Sequence, residues 1–117
     1  METTDKKNKK QTSMNLVLLR GYIGTVKVTE LARNRKVARI SLATNRMYKN
    51  QEGADMEETT WHHVTAWGNS GNQKLLETLK KGDLIYVEGY IRSQRYTNSD
   101  GEERCFTDIV SIKIEKC

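Results

Sequence analysis

One stretch of this chain, residues 70–81, carries helical periodicity, and it interrupts a sequence that otherwise reads as one strand after another. Ser70 followed by Gln73 fits a capping box, Leu75, Leu76 and Leu79 form an apolar face, and Gly82 supplies a C-terminal stop. Lys80 and Lys81 then stand where the negative end of the helix dipole favours cations. Three strand-like runs precede the helix. Residues 15–28 form a long first run in which Gly21 and Gly24 mark a bulge or sharp bend. A basic turn, Arg33-Asn34-Arg35-Lys36, leads into residues 37–48, where Ile40 and Leu42 share a parity that Thr44, Arg46 and Tyr48 continue outward. A polar loop over 50–58 precedes the third run, 59–67. After the helix comes a fourth run over 84–96 with Gly89 inside it, then the hairpin turn Asn98-Ser99-Asp100-Gly101. The fifth run, 104–114, offers Phe106, Ile109, Val110, Ile112 and Ile114 as its apolar positions. Three strands, one short helix, then two strands is the order of an all-β OB-fold, a five-stranded, partly open Greek-key barrel.

At 117 residues the chain suffices for one core and not two. Its net charge of +5 argues for a polyanionic partner, nucleic acid or an anionic membrane surface. The uninterrupted apolar run Leu16 to Leu19 is far too short to span a bilayer, so no membrane role is expected. Residues 1–13 set Lys6, Lys7, Lys9 and Lys10 against Glu2 and Asp5, with Met1 the sole apolar side chain, and no secretory signal is visible. Such a segment cannot bury enough surface to order itself and reads as a disordered basic leader. It is either a solvated extension or an arm that adds phosphate contacts. Residues 14–117, the single folded domain, keep a net charge of +3. Cys105 and Cys117 form no CxxC pair and read as free thiols in a reducing cytoplasm.

Within the third strand, period-2 alternation puts Trp61, His63, Thr65 and Trp67 on one face and His62, Val64 and Ala66 on the other. The small apolar pair Val64 and Ala66 suits a buried face, which leaves both indoles opposite it. Two readings stay open. The rings are core covered by another sheet or subunit, or they are a platform on which bases stack.

Four motifs together resemble the bacterial single-stranded DNA-binding protein family: residues 15–24 (NLVLLRGYIG), 40–44 (ISLAT), Thr60-Trp61-His62, and 79–89 (LKKGDLIYVEG). Asp100-Gly101 before Arg104 fits as well, and the likeness covers about residues 14–114. The resemblance implies single-stranded DNA as partner, bound without strong sequence preference, for its protection in replication, recombination or repair. The family's stacking aromatics fall on Trp61, Trp67, Tyr48 and Tyr96. Its backbone-tracking cations fall on Lys49, Arg92 and Arg95, with Arg46 and Lys81 beside them. Arg92, Gln94 and Tyr96 share a strand face, which independently sets a cation beside a ring. Family members oligomerise, usually as homotetramers, and His62, Tyr86 and Tyr90 are the residues expected at such contacts, with packing inside the domain as the plainer alternative for the two tyrosines. Glu88 reads as a structural acceptor. No cofactor and no metal are implied.

Two departures from the family pattern bear on function. The family typically continues into an acidic, hydrophobic tip that recruits repair and replication enzymes, whereas this sequence ends at Cys117, so recruitment by that route is doubtful. The first loop, residues 25–36, lacks the usual Pro-Gly-Gly-like turn and is unusually basic. An alternative function is therefore a primosome-type adaptor that docks partner proteins and binds single strands secondarily. An enzyme is the third class. Neighbouring His62 and His63 point to opposite faces, and no metal-ligand spacing, phosphate-cradling loop or nucleophile motif is present, so no catalytic residues are expected.

Overall fold

The computed structural model of this protein describes residues 13–69 and 72–117. The leader, except Ser13, and the capping Ser70 lie outside those residues. Five strands, β1 (Val17–Leu31), β2 (Arg35–Lys49), β3 (Asp55–Trp67), β4 (Leu84–Thr97) and β5 (Glu103–Lys116), close into a barrel in the order β1-β2-β3-β5-β4, with β4 returning to β1. Each pairing is antiparallel except β3 with β5, which is parallel and brief, Val64 opposite Ile109 and Thr65 opposite Val110. The all-β barrel with one short helix between strands 3 and 4 is the architecture the strand order implies.

Inward alternation supplies the core. Ile23, Leu42, Val64, Ile85 and Val87 are buried, and Leu76 and Leu79 join them from the chain between β3 and β4. Of the two glycines marked on the first run, Gly24 sits at an irregularity, whereas Gly21 keeps regular register opposite Ile85. The β1–β2 register shifts between Ile23 and Thr25, at Gly24, and the β4–β5 register shifts between Glu88 and Gly89. A methyl on Gly89 would run into the Val110 carbonyl, so only glycine allows β4 to pass this close to β5.

Two expectations need correction. The helix α1 covers only Gln73–Thr78, not residues 70–81. Leu79 is already extended, its N–H reaching the Leu76 carbonyl, because burying Leu79 requires the chain to turn into the core. The next residues are then tied to β1, with the Gly82 N–H donating to Ile23 O (2.8 Å) and the Ile23 N–H donating to Asp83 O (2.9 Å). Gly82 therefore occupies a left-handed turn position (φ 92°), and Lys80 and Lys81 stand in that turn rather than on a helix end.

The two long loops also shrink. Residues 25–36 are mostly strand, connected by a single 3₁₀ turn, Ala32–Asn34. The 50–58 loop contracts to a tight turn in which Asn50 Oδ1 accepts the N–H groups of Glu52 and Ala54, and β3 begins at Asp55. Both strand pairs thus project beyond the barrel as ribbons whose polar residues cannot be told from loop by hydropathy alone.

Of the five apolar positions on β5, Ile109, Val110 and Ile114 are buried while Phe106 and Ile112 are exposed. Glu88 faces Lys113 and Gly89 faces Ser111, so Ile112 is the extra residue of a bulge on β5. That residue reverses the parity, which lets Ile109 and Ile114 both point inward.

Candidate functional site

The outer face of β3 is as the alternation predicts. Val64 and Ala66 are buried, while Trp61 is 56% exposed and Trp67 37%. The indoles are roughly 20 Å apart along the strand at about 3.3 Å per residue. Trp61 leans across β2, where Ala43 lies opposite it, until its ring covers Gly24 at the β1 bulge. A methyl on Gly24 would overlap ring atoms Cζ3 and Cη2. Gly24→Ala is accordingly expected to swing the indole off β1. The ring is exposed and free to move, so stability should fall by only about 1 kcal/mol. Near-UV circular dichroism and the tryptophan emission maximum should change, and unchanged spectra would show that the ring does not need the glycine.

On the same face, past the short β3–β5 pairing, the β4–β5 ribbon diverges from β3. It presents Arg92, Gln94 and Tyr96 from β4 and Phe106 and Asp108 from β5. Asp108 is the anchor of this region. Only 2% exposed, it accepts Arg92 Nε (3.2 Å) and Arg92 Nη2 (2.9 Å) on its two oxygens and the Thr65 hydroxyl at 2.7 Å. Burial by itself would raise the Asp108 pKa; the hydrogen bonds from Arg92 and Thr65 and the guanidinium charge outweigh it and hold the carboxyl below its usual range. The bonded Asp108 raises the Arg92 pKa, against the opposing effect of burial. This is why Thr65, on the outward parity, is nonetheless buried.

The remaining cations named from sequence are differently placed. Arg46 pairs with Glu58 (3.3 Å) while its guanidinium sits 4.7 Å from the Tyr48 ring centre. Lys49 pairs with Asp55 (2.6 Å) and Arg95 with Glu103 (3.6 Å). All three pairs are exposed, worth about 0–1 kcal/mol each, so a phosphate can displace the carboxylate at little cost. Arg92, with its fork committed to a buried carboxylate, is not exchangeable in that way. Lys81 is exposed in its turn.

Tyr96 continues the Arg92–Gln94 face on the β4–β5 ribbon. Tyr48 pairs with Met56 and keeps the parity of Leu42 and His62, so the structure puts it on the β2–β3 ribbon but not on the face that carries Trp61 and Trp67. His62 is half-buried, its Nε2 2.8 Å from the Thr44 hydroxyl, and burial lowers its pKa. Tyr86 donates its hydroxyl hydrogen to Glu88 (2.6 Å), which makes Glu88 the structural acceptor expected of it; that bond first, then burial, raises the tyrosine pKa. Tyr86 and Tyr90 lie on the outer face of β4.

Arg35, Arg39, His63, Gln94 and Phe106 were given no binding role from sequence, although His63 was set beside the indoles and Gln94 beside Arg92. Arg35 stacks over Trp67 at 5.6 Å, and Arg39 lies on β2 opposite Thr65. Odd parity on β2, continued from Arg35 to Arg39, was the available signal for the two arginines. Among the described residues no cluster of three or more His, Cys, Asp or Glu could hold a metal, and no helix is long and apolar enough to cross a membrane.

A family model described as "Single-strand binding protein family" matches residues 14–117. A single-stranded DNA-binding protein of Xanthomonas campestris pv. campestris is 39% identical over 103 residues, covering 87% of this chain and 59% of the relative. One from Neisseria meningitidis serogroup B is 36% identical over 108 residues, covering 88% and 59%. The chain thus spans about six tenths of the length of these curated relatives. Among solved structures, a Plasmodium falciparum SSB complex with ssDNA superposes with a TM-score of 0.77 at 24% identity, covering 92% of this chain and 96% of that one. A deletion mutant of the single-stranded DNA-binding protein from Thermus aquaticus gives 0.75 at 22%, covering 89% and 50%. At these identities the structural likeness speaks for the fold.

Proposed function

The chain belongs to the single-strand binding protein family, and we propose that it binds single-stranded DNA with little sequence preference and shields it during replication, recombination or repair. The observation that carries this reading is the pair of exposed indoles, Trp61 and Trp67, on a sheet face flanked by arginines and open to solvent. Each base has a π-face, so stacking on such rings is tolerant of sequence. Trp61, Trp67 and Tyr96 share the main track, and Tyr48 serves the strand where it passes the β2–β3 ribbon. Lys49, Arg95, Arg46 and Lys81 take phosphates, and Arg92 positions the ribbon through Asp108. No reaction step is needed for this activity.

We also propose that the protein acts as a homo-oligomer, most simply a tetramer, because one barrel offers a short track. Exposed Leu18 and Tyr22 on β1, with Leu16 just before it, adjoin the outer face of β4 that carries Tyr86 and Tyr90, an apolar surface suited to a second copy. His62 is assigned to contacts between copies as well.

The test is titration of intrinsic tryptophan fluorescence with poly-dT and with duplex DNA, alongside the mass in solution. Single strands should quench strongly and duplex much less, since duplex bases are already stacked. Log affinity should fall linearly with log salt, and replacing Lys49 or Arg95 should each reduce the slope by about 0.7. Equal quenching by both forms, or a slope untouched by either replacement, contradicts the reading.

A further inference from the structure

Between the outer face of β2–β3 and the diverging β4–β5 ribbon lies an open groove of about 320 Å³, at the small end of the roughly 300–1,000 Å³ typical of small-ligand sites. Its walls combine rings and polar groups. Phe106 packs on His63, ring centres 5.4 Å apart and tilted 48°, and Trp67 lines the groove further along β3. Phe106, on the same β5 face as Asp108, is 39% exposed. Arg39 and Gln94 also line the groove, and neither side chain has a hydrogen-bond or ion-pair partner among the described residues. The base of the groove is rigid, since Asp108 ties Thr65 to Arg92 and the Ser41 hydroxyl is engaged by Thr25.

Resting on the reading that the chain binds single strands, we propose that this groove takes one unstacked base of the bound strand, making Phe106, His63 and Gln94 a nucleotide subsite beyond the four aromatic positions named above. The base lies against the Phe106 ring, which is held in place by His63. The Gln94 carboxamide, one acceptor and two donors, meets the base edge, since bases carry adjacent donors and acceptors there. Arg39 meets the adjoining phosphate. The chemistry distinguishes a base from a bare phosphate: two rings and a neutral amide add nothing to the binding of a polyanion.

The experiment compares the wild-type chain, Phe106→Ala, Phe106→Tyr and Gln94→Ala. Each is titrated with a dT oligonucleotide and with an abasic deoxyribose-phosphate strand of the same length. Phe106→Ala should weaken dT binding at least about fivefold, the lower end for loss of one stacking ring. It should leave abasic binding unchanged, and Phe106→Tyr should restore dT affinity. Photocrosslinking of a 5-iodouracil strand should label the β5 peptide at Phe106, a signal that a merely structural role would not produce. If wild type fails to bind the dT strand, the functional reading itself is wrong. If wild type binds tightly but Phe106→Ala binds dT equally well, or the crosslinks avoid β5, the subsite alone is overturned. An equal loss on dT and abasic strands also overturns it.

Discussion

Replacing Asp108 with alanine is expected to destabilise the fold by about 3 kcal/mol, the lower end of the range for breaking a buried ion pair. The lower end applies because the Arg92 side chain is 31% exposed and recovers part of its hydration once released. For a domain of this size, such a loss lowers Tm by roughly 10–20 °C. The penalty has a direction in pH. The folded carboxyl titrates below its ordinary value, so the stability it contributes is complete above about pH 4 and is lost as pH falls through the depressed folded pKa. Wild type and Asp108→Ala should therefore differ most near neutrality and converge in strong acid. Thermal melts of both proteins between pH 7 and pH 2 measure this. A Tm difference of a degree or two at pH 7, or one that grows on acidification, would show that the Thr65–Asp108–Arg92 network is incidental.

Trp61→Ala should weaken binding of a single-stranded dT oligonucleotide by about 5- to 150-fold, corresponding to about 1–3 kcal/mol for one stacked base. The loss should be nearly free of folding effects, because the ring rests on the surface over Gly24 rather than in the core. Trp67→Ala should act in the same direction, with Arg35, which stacks on that ring, left as a bare cation. Fluorescence anisotropy of a labelled strand at fixed salt gives both numbers. Undiminished affinity in Trp61→Ala would remove the observation on which the proposed function stands.

The outward face of β3 was legible from seven residues because strand alternation is a local property: once 61–67 is extended, Val64 and Ala66 must oppose the indoles. The strand order was legible for a similar reason, since each run and turn is written in short-range pattern. The Asn98 turn shows it, with Asn98 Oδ1 accepting the N–H groups of Asp100 and Glu102 and Gly101 at positive φ.

Partnership was not legible in this way. Whether Arg92 points at solvent or at Asp108, sixteen residues away, depends on the β4–β5 register, and Thr65 joins them only because β3 meets β5 in parallel. The single bulged residue Ile112 reverses the faces of β5 around it, and no local signal in an apolar run distinguishes that residue from its neighbours.

By itself, then, the sequence determined the number and order of the strands, the bulge at Gly24 and the side of β3 on which the indoles stand, all consequences of interactions within a few residues. Tertiary structure alone decided where α1 stops, because burial of Leu79 and the bonds from Gly82 and Asp83 to Ile23 outweigh helix propensity. It also decided that Arg92 is a strut rather than a free cation, and that Phe106 faces a groove rather than the core, because closing the barrel sets which distant side chains meet.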